Sequence, residues 1–227
     1  SLHTKLVLAV NGALLVGGSL AVFLLEGRNP ATLGREGMTL WDKVTGSVFQ
    51  AVTCRTAGFA AVRQDALNDS TKLISCLMML VGASPASTGG GIKTTTLFVL
   101  IVWISAVVSQ KKLTVIGMKK VGGEVRSRAA TVLVLAITSL LVAQILLMGF
   151  DGARFSYEQL LFEAVSAYAT VGLSLGITAA LSVGGKLTLV MLMFMGRVGA
   201  YTLFASTTRK NDDADAGIKY QEFNVMM

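Results

Sequence analysis

FQAVTCRTAGF, Phe49–Phe59, returns further along the chain as FEAVSAYATVGL, Phe162–Leu173, with one residue inserted. Both segments carry Phe, then Gln or Glu, Ala-Val and a hydroxyl residue. Both close on Thr-x-Gly followed by an apolar residue. Each lies between two apolar runs, so the chain reads as two copies of one plan: span, short helix, Thr-x-Gly turn, span. The short helices, Leu40–Thr53 and Ser156–Tyr168, cannot cross a bilayer, and Asp42 and Ser156 are expected to cap their amino termini. A short helix that dips in and returns to the side it left makes a re-entrant loop.

The surrounding runs set the class. Leu6–Leu25, Leu73–Ser109, Ala129–Phe150 and Leu187–Ser206 are long and apolar, and only 15% of the 227 residues are charged. A soluble domain carries about a quarter, and a span needs about 20 residues. This predicts an all-α integral membrane protein. The first run is too long for a secretory leader and has no small-residue cleavage site, so it reads as a span.

The formal net charge of +7 is concentrated between the second and third runs. There Lys111, Lys112, Lys119, Lys120, Arg126 and Arg128 oppose a single Glu124, which predicts a cytoplasmic segment. Glu26 and Glu36 against Arg28 and Arg35 read as a balanced outer segment, and the mixed DGARFSYE segment after the third run also reads as outer. The basic segment has no interleaved aromatics and lies between spans. Lipid head groups or a cytoplasmic protein suit it, and nucleic acid does not.

At membrane depth, non-helical backbone survives only when buried in protein or lining a watery cavity. A glycine at the bottom of a re-entrant helix leaves carbonyls free to face a common axis. Such carbonyls can replace the hydration shell of a monovalent cation, and the negative ends of the short helices favour it there. The plainer alternative is two re-entrant hairpins that only pack together.

The second run contains VGASPASTGGGIKTTT, Val81–Thr96. As one helix, Leu73–Ser109 would be roughly 55 Å long, so Pro85 and Gly89–Gly91 are expected to break it. GGGIKTTT is not a Walker loop, because Ile92 separates glycine from lysine and no βαβ context exists. Lys93 in this stretch and Arg197 in the last run are charges in apolar surroundings. Arg197 is expected about 15 Å from either end of its helix, too far to reach the interface, and intramembrane charges face a pore or a partner. Cys54, Cys76 and His3 make no metal centre of familiar spacing. There is no nucleophile–base set for an enzyme.

VTCRTAGF, GASPASTGGGIKTTT, SAYATVGLSLGIT and MFMGRVG together resemble the Trk/Ktr/HKT superfamily of potassium transporters, and within it the Ktr-type membrane subunits. The resemblance covers nearly the whole chain in order. It implies the third and fourth of four span–pore–span repeats around one pore: 1–110 as the third, 111–128 as a basic cytoplasmic linker, 129–208 as the fourth and 209–227 as a cytoplasmic tail. Carried over, the backbone of Thr56, Ala57, Gly58 and Phe59, and of Thr170, Val171, Gly172 and Leu173, would form two filter strands that ligate K+. The stretch 82–94, with Gly82, Ser84, Ser87, Thr88, Gly89, Gly90, Gly91 and Lys93, would be an intramembrane gate loop. Arg197 would hold that loop or act as an electrostatic barrier.

The resemblance further implies K+ uptake, with Na+ as a stimulating ion, and no covalently bound cofactor. Expected partners are membrane lipid, a cytosolic ring of nucleotide-binding regulatory subunits on Lys111–Arg128 and the tail, and a second protomer. A sodium-permeable or sodium-coupled transporter of the same superfamily, or a non-conducting scaffold, are the alternatives. Cys54 and Ala200 depart from the family pattern without removing a filter glycine. Two repeats supply half a filter and the chain begins SLHT, so the carboxyl-terminal part of a longer chain is expected, or else two chains that pair.

Overall fold

The computed structural model describes residues 2–82, 84, 89–110, 114–116, 119–199 and 202. Helices α1 (Leu2–Glu26) and α5 (Gly123–Asp151) are long and apolar enough to cross a membrane. At 1.5 Å per residue they measure about 38 and 44 Å. Between and after them run α2 (Leu40–Thr53), α3 (Asp69–Leu80), α4 (Thr94–Val108), α6 (Tyr157–Tyr168) and α7 (Val183–Val198). The fold is helical, with two passages through the same sequence of long helix, short helix, turn and helix.

Apolar side chains lie outside as well as inside. Leu8, Val16, Leu20 and Leu24 on α1, and Leu141, Ile145 and Phe150 on α5, are exposed. A contiguous apolar exterior of this kind suits lipid rather than water. The buried centre is formed by the short helix α6, with Leu160, Phe162 and Ala164 wholly enclosed, together with Met79 of α3, Leu147 of α5 and Leu192 of α7. Helix α6 packs against α3, α5 and α7, whereas α2 packs chiefly against α1.

The short helices begin with the same device. Thr39 caps α2 and Ser156 caps α6, each in a reciprocal capping box with the residue three positions on, Asp42 and Gln159. The expectation for Ser156 holds. Asp42 is corrected: Thr39 has the extended cap backbone, and Asp42 is the partner that bonds back to the Thr39 N–H at 2.9 Å.

The second apolar run is broken where a single helix would have been too long. α3 stops at Leu80 and α4 starts at Thr94, and the neck between them is closed by Gly82 N–H to Ile92 O (2.9 Å) and Ile92 N–H to Leu80 O (3.0 Å). Pro85, Ser87 and Thr88 lie outside the described residues. The basic linker contains a short hairpin that its sequence did not announce, Val115–Ile116 (β1) against Lys119–Lys120 (β2). Arg126 ties its base to α4 by lying over the Trp103 ring, 5.9 Å from the centroid.

Each repeat is also fastened by a buried acid at the end of its first helix. Glu26, at the end of α1, accepts the N–H of Asn68, the residue that caps α3, and the hydroxyls of Thr32 and Thr71. Asp151, at the end of α5, accepts the N–H and hydroxyl of Ser182, which caps α7. The same join, from the end of the first helix of a repeat to the cap of the helix after its turn, is made twice. The charge balance of the segment gives Glu26 no such structural part.

Candidate functional site

The Thr-x-Gly turns follow directly from the carboxyl ends of α2 and α6. Thr56 and Thr170 have φ of +68° and +55°, and Gly58 and Gly172 have φ of +76° and +91°. Ala57 and Val171 between them stay at negative φ. A β-branched residue at positive φ is a genuine outlier, costing about 1–3 kcal/mol, and such strain gathers at functional sites. Two threonines share this state at matching positions of the repeat.

Alternation of left- and right-handed residues lines successive N–H groups along one side of the chain and the carbonyls along the other. The N–H groups turn back to the helix: Ala57 and Gly58 donate to Thr53 O at 3.2 and 3.3 Å, and Val171 donates to Ser166 O at 3.0 Å. Thr53 and Ser166 are equivalent in the repeat, so the inserted residue in the second copy lengthens the loop without changing the bond. The Phe59 carbonyl also turns back to the helix, accepting the Thr53 hydroxyl at 2.5 Å.

The two turns meet. A side chain on Gly58 would strike the Val171 carbonyl and lie 3.7 Å from the Gly172 Cα. Gly58, Gly172 and their neighbours therefore share one locality, at the negative ends of two short helices. A cavity of ≈ 440 Å³ opens beside the fourth-repeat turn, lined among others by Glu163, Thr170, Gly172 and Arg197.

The broken helix lies against this locality. The Gly90 N–H donates to Thr170 Oγ1 at 2.8 Å, and Gly90 is so close that a Cβ there would meet that threonine side chain at 2.8 Å. Gly91 has φ of +73°. The Lys93 ammonium donates to Gly89 O at 2.6 Å, across the carboxyl end of the loop, so it anchors the segment. Ser84 accepts from Asn11 of α1 at 2.9 Å. Of the residues expected to form the loop, Gly82, Ser84, Gly89, Gly90, Gly91 and Lys93 are brought together here.

Arg197 requires a correction of place. α7 ends at Val198, and Gly199 leaves the helix with φ of +88°, so Arg197 lies in the last turn of α7, before a break beyond which Thr202 is again helical. A cation there complements the helix dipole. It lines the cavity and is near enough to Lys93 for their like charges to interact.

Two participants escaped the reading of the sequence. Arg55, immediately before Thr56, donates from Nη2 to Asn11 Oδ1 at 2.5 Å, and its Nη1 is buried without a partner among the described residues. Asn11 passes the connection on to Ser84. An asparagine midway along an apolar helix was the available signal, since polar groups inside spans are rare and rarely idle.

Comparison with known proteins adds the following. A family model described as TrkH, cation transport protein, matches residues 36–214. The Ktr system potassium uptake protein B of Bacillus subtilis (strain 168) is 38% identical over 215 residues, 93% of this chain and 47% of that protein. The potassium/sodium uptake protein NtpJ of Enterococcus hirae is 32% identical over 229 residues, 100% of this chain and 50% of that protein. The crystal structure of the potassium transporter TrkH from Vibrio parahaemolyticus is similar in fold, with a TM-score of 0.69 at 20% identity, over 88% of this chain and 43% of that one. The chain spans about half the length of the curated relatives it matches.

Proposed function

This chain belongs to the TrkH family of cation transport proteins, and from that premise we propose that it supplies two of the four repeats of a potassium uptake pore in the cell membrane. The family is one of transporters, not enzymes, and membership makes the chain a membrane protein. K+ would be stripped of water by the backbone carbonyls of Thr56, Ala57, Gly58 and Phe59 in one strand and Thr170, Val171, Gly172 and Leu173 in the other. The observation that carries this reading is the contact of two turns with the same alternating backbone, each at the negative end of a short helix.

The stretch 82–94 would obstruct the passage beneath the filter and act as the gate. Its bond from Gly90 to Thr170 supports that position. Lys93 and Arg197 would place positive charge along the route when the loop is closed, and Arg55 would steady the loop through Asn11. The remaining repeats, a second protomer and a cytosolic nucleotide-binding ring complete the proposed assembly. The ring would dock on the hairpin and on the segment 111–128. Na+ is proposed as a stimulating or second permeant ion, in keeping with the potassium/sodium name of the Enterococcus relative.

The test is ion uptake by the native protein that carries this chain, reconstituted in vesicles. We expect K+ to enter faster than Na+, and Arg197→Ala to raise flux. Absence of K+ uptake would leave the scaffold alternative. Equal K+ and Na+ fluxes would overturn the assignment of the two turns as a potassium filter.

A further inference from the structure

At one buried polar position the two short helices differ in charge type: Gln50 of α2 occupies the repeat position that Glu163 holds in α6. Both are buried, at 1% and 4% exposure. Gln50 exchanges two amide hydrogen bonds with Gln64, at 2.8 and 3.0 Å, and so fastens the segment that follows the first turn. Glu163 fastens the segment that follows the second turn, and it does so with a carboxylate. Its Oε1 accepts the Ser174 hydroxyl at 2.5 Å and the Leu175 N–H at 3.0 Å, and its Oε2 accepts the Thr178 hydroxyl at 2.7 Å.

We propose that Glu163 is the residue that sets ion discrimination in the fourth-repeat turn, by holding the downstream end of the strand 170–173 in place through Ser174, Leu175 and Thr178. This deepens the reading of that turn as a filter and rests on it. The upstream end of the strand is fixed by the bond from Val171 N–H to Ser166 O. Without Glu163 the downstream end has no equivalent tether among the described residues. An ionised carboxylate is acceptor-only, so it matches three donors with no donor of its own to place. Bonds to a charged acceptor are roughly twice as strong as neutral ones. A strand pinned at both ends cannot close around a smaller ion, whereas a slack one can follow Na+ inward. Glu163 also lines the cavity beside the turn.

The experiment compares K+ and Na+ influx in vesicles carrying the native protein and its variants, with thermal unfolding measured in parallel. Glu163→Gln turns one acceptor oxygen into a donor facing a donor, and the K+/Na+ flux ratio is expected to fall about tenfold. Thr178→Val removes one of the same bonds and should lower the ratio by about threefold. The double variant should be no worse than Glu163→Gln alone, because the bond is shared. Gln50→Ala, a change in the neutral tether of the other copy, should alter the ratio less than Glu163→Gln.

A ratio unchanged within about twofold in Glu163→Gln, with wild type still favouring K+, would overturn the proposal and leave the filter intact, since the loss of such a bond is worth more than that. So would an unfolding midpoint that falls while the ratio stays constant. A wild type that fails to favour K+ would instead sink the filter itself. If Glu163→Gln does not fold, Thr178→Val reads the same interaction, and its unchanged ratio would be just as decisive against the idea.

Discussion

Helices α2 and α6 carry the same motif, start with the same capping box and end in the same turn, yet their surroundings differ. Phe162 and Val165 of α6 are 0% and 5% exposed, while their equivalents in α2, Phe49 and Val52, are 42% and 44% exposed. α6 is covered on one side by α3, which belongs to the preceding repeat, as well as by α5 and α7. α2 has no such neighbour among the described residues. A repeat motif keeps its apolar side chains whether or not the present chain covers them. The uncovered face of α2 therefore supports the proposal that another repeat packs there.

The comparison breaks most visibly at the glycines. Gly58 and Gly172 share a left-handed backbone, but Gly58 faces the Val171 carbonyl whereas, among the described residues, nothing lies within 4 Å of a Cβ added at Gly172. Among the described residues a side chain at Gly172 meets only the left-handed penalty, about 1–2 kcal/mol. At Gly58 it must also displace backbone. Gly58→Ala is expected to abolish K+ uptake in a transport-deficient cell, and Gly172→Ala to reduce it by about tenfold. Equal losses would mean that a neighbour outside this chain crowds Gly172 as Val171 crowds Gly58.

The buried acids give the next effect. Glu26 satisfies donors from Asn29, Thr32, Asn68 and Thr71, and Asp151 satisfies two from Ser182. Each donor left without an acceptor costs roughly 1–3 kcal/mol. Glu26→Gln should destabilise the protein by roughly 3 kcal/mol and Asp151→Asn by roughly 2 kcal/mol, read from unfolding in detergent. The reverse order would show that the first join is not the more heavily bonded.

The ties between turn and loop differ as well. In the fourth repeat the link is direct, from Gly90 N–H to Thr170. In the third it passes through two side chains, Arg55 and Asn11, to Ser84. Thr170→Val leaves the Gly90 N–H without its acceptor and should cost about 2 kcal/mol, whereas Ser84→Ala should cost less than about 1 kcal/mol. Detergent unfolding of both variants checks the order.

These cases show what could be read in the chain itself. The repeat, the short helices, the break in the second run and the Thr-x-Gly turns are local patterns, set by period, length and glycine placement. The partners of Glu26 lie up to 45 residues away and Gly90 lies 80 residues from Thr170. No local pattern reports a bond of that span, so Glu26 looked like one charge among four, and Asn11 and Arg55 passed without notice. Arg197 was displaced for another reason. The apolar run continues past Gly199, but the backbone there takes a positive φ and interrupts the helix, which is seen again at Thr202.

The smallest difference is in the caps, and pH separates them. The Asp42 carboxylate accepts from the Thr39 hydroxyl and N–H, which hold its pKa below the ordinary aspartate value. Its counterpart Gln159 makes the same box without a titratable group. A depressed folded-state pKa gives stability that is present above the unfolded value, about 4, and lost as pH falls through the folded one. Asp42 is exposed, so the effect is small and screened by salt. Comparing wild type with Asp42→Asn, the difference in unfolding midpoint should be larger at about pH 6 than at about pH 3, on either side of that value. The pair Gln159→Ala and wild type should differ by the same amount at both values. A pH-independent Asp42→Asn difference would mean that the α2 box is held by geometry alone, as the α6 box is.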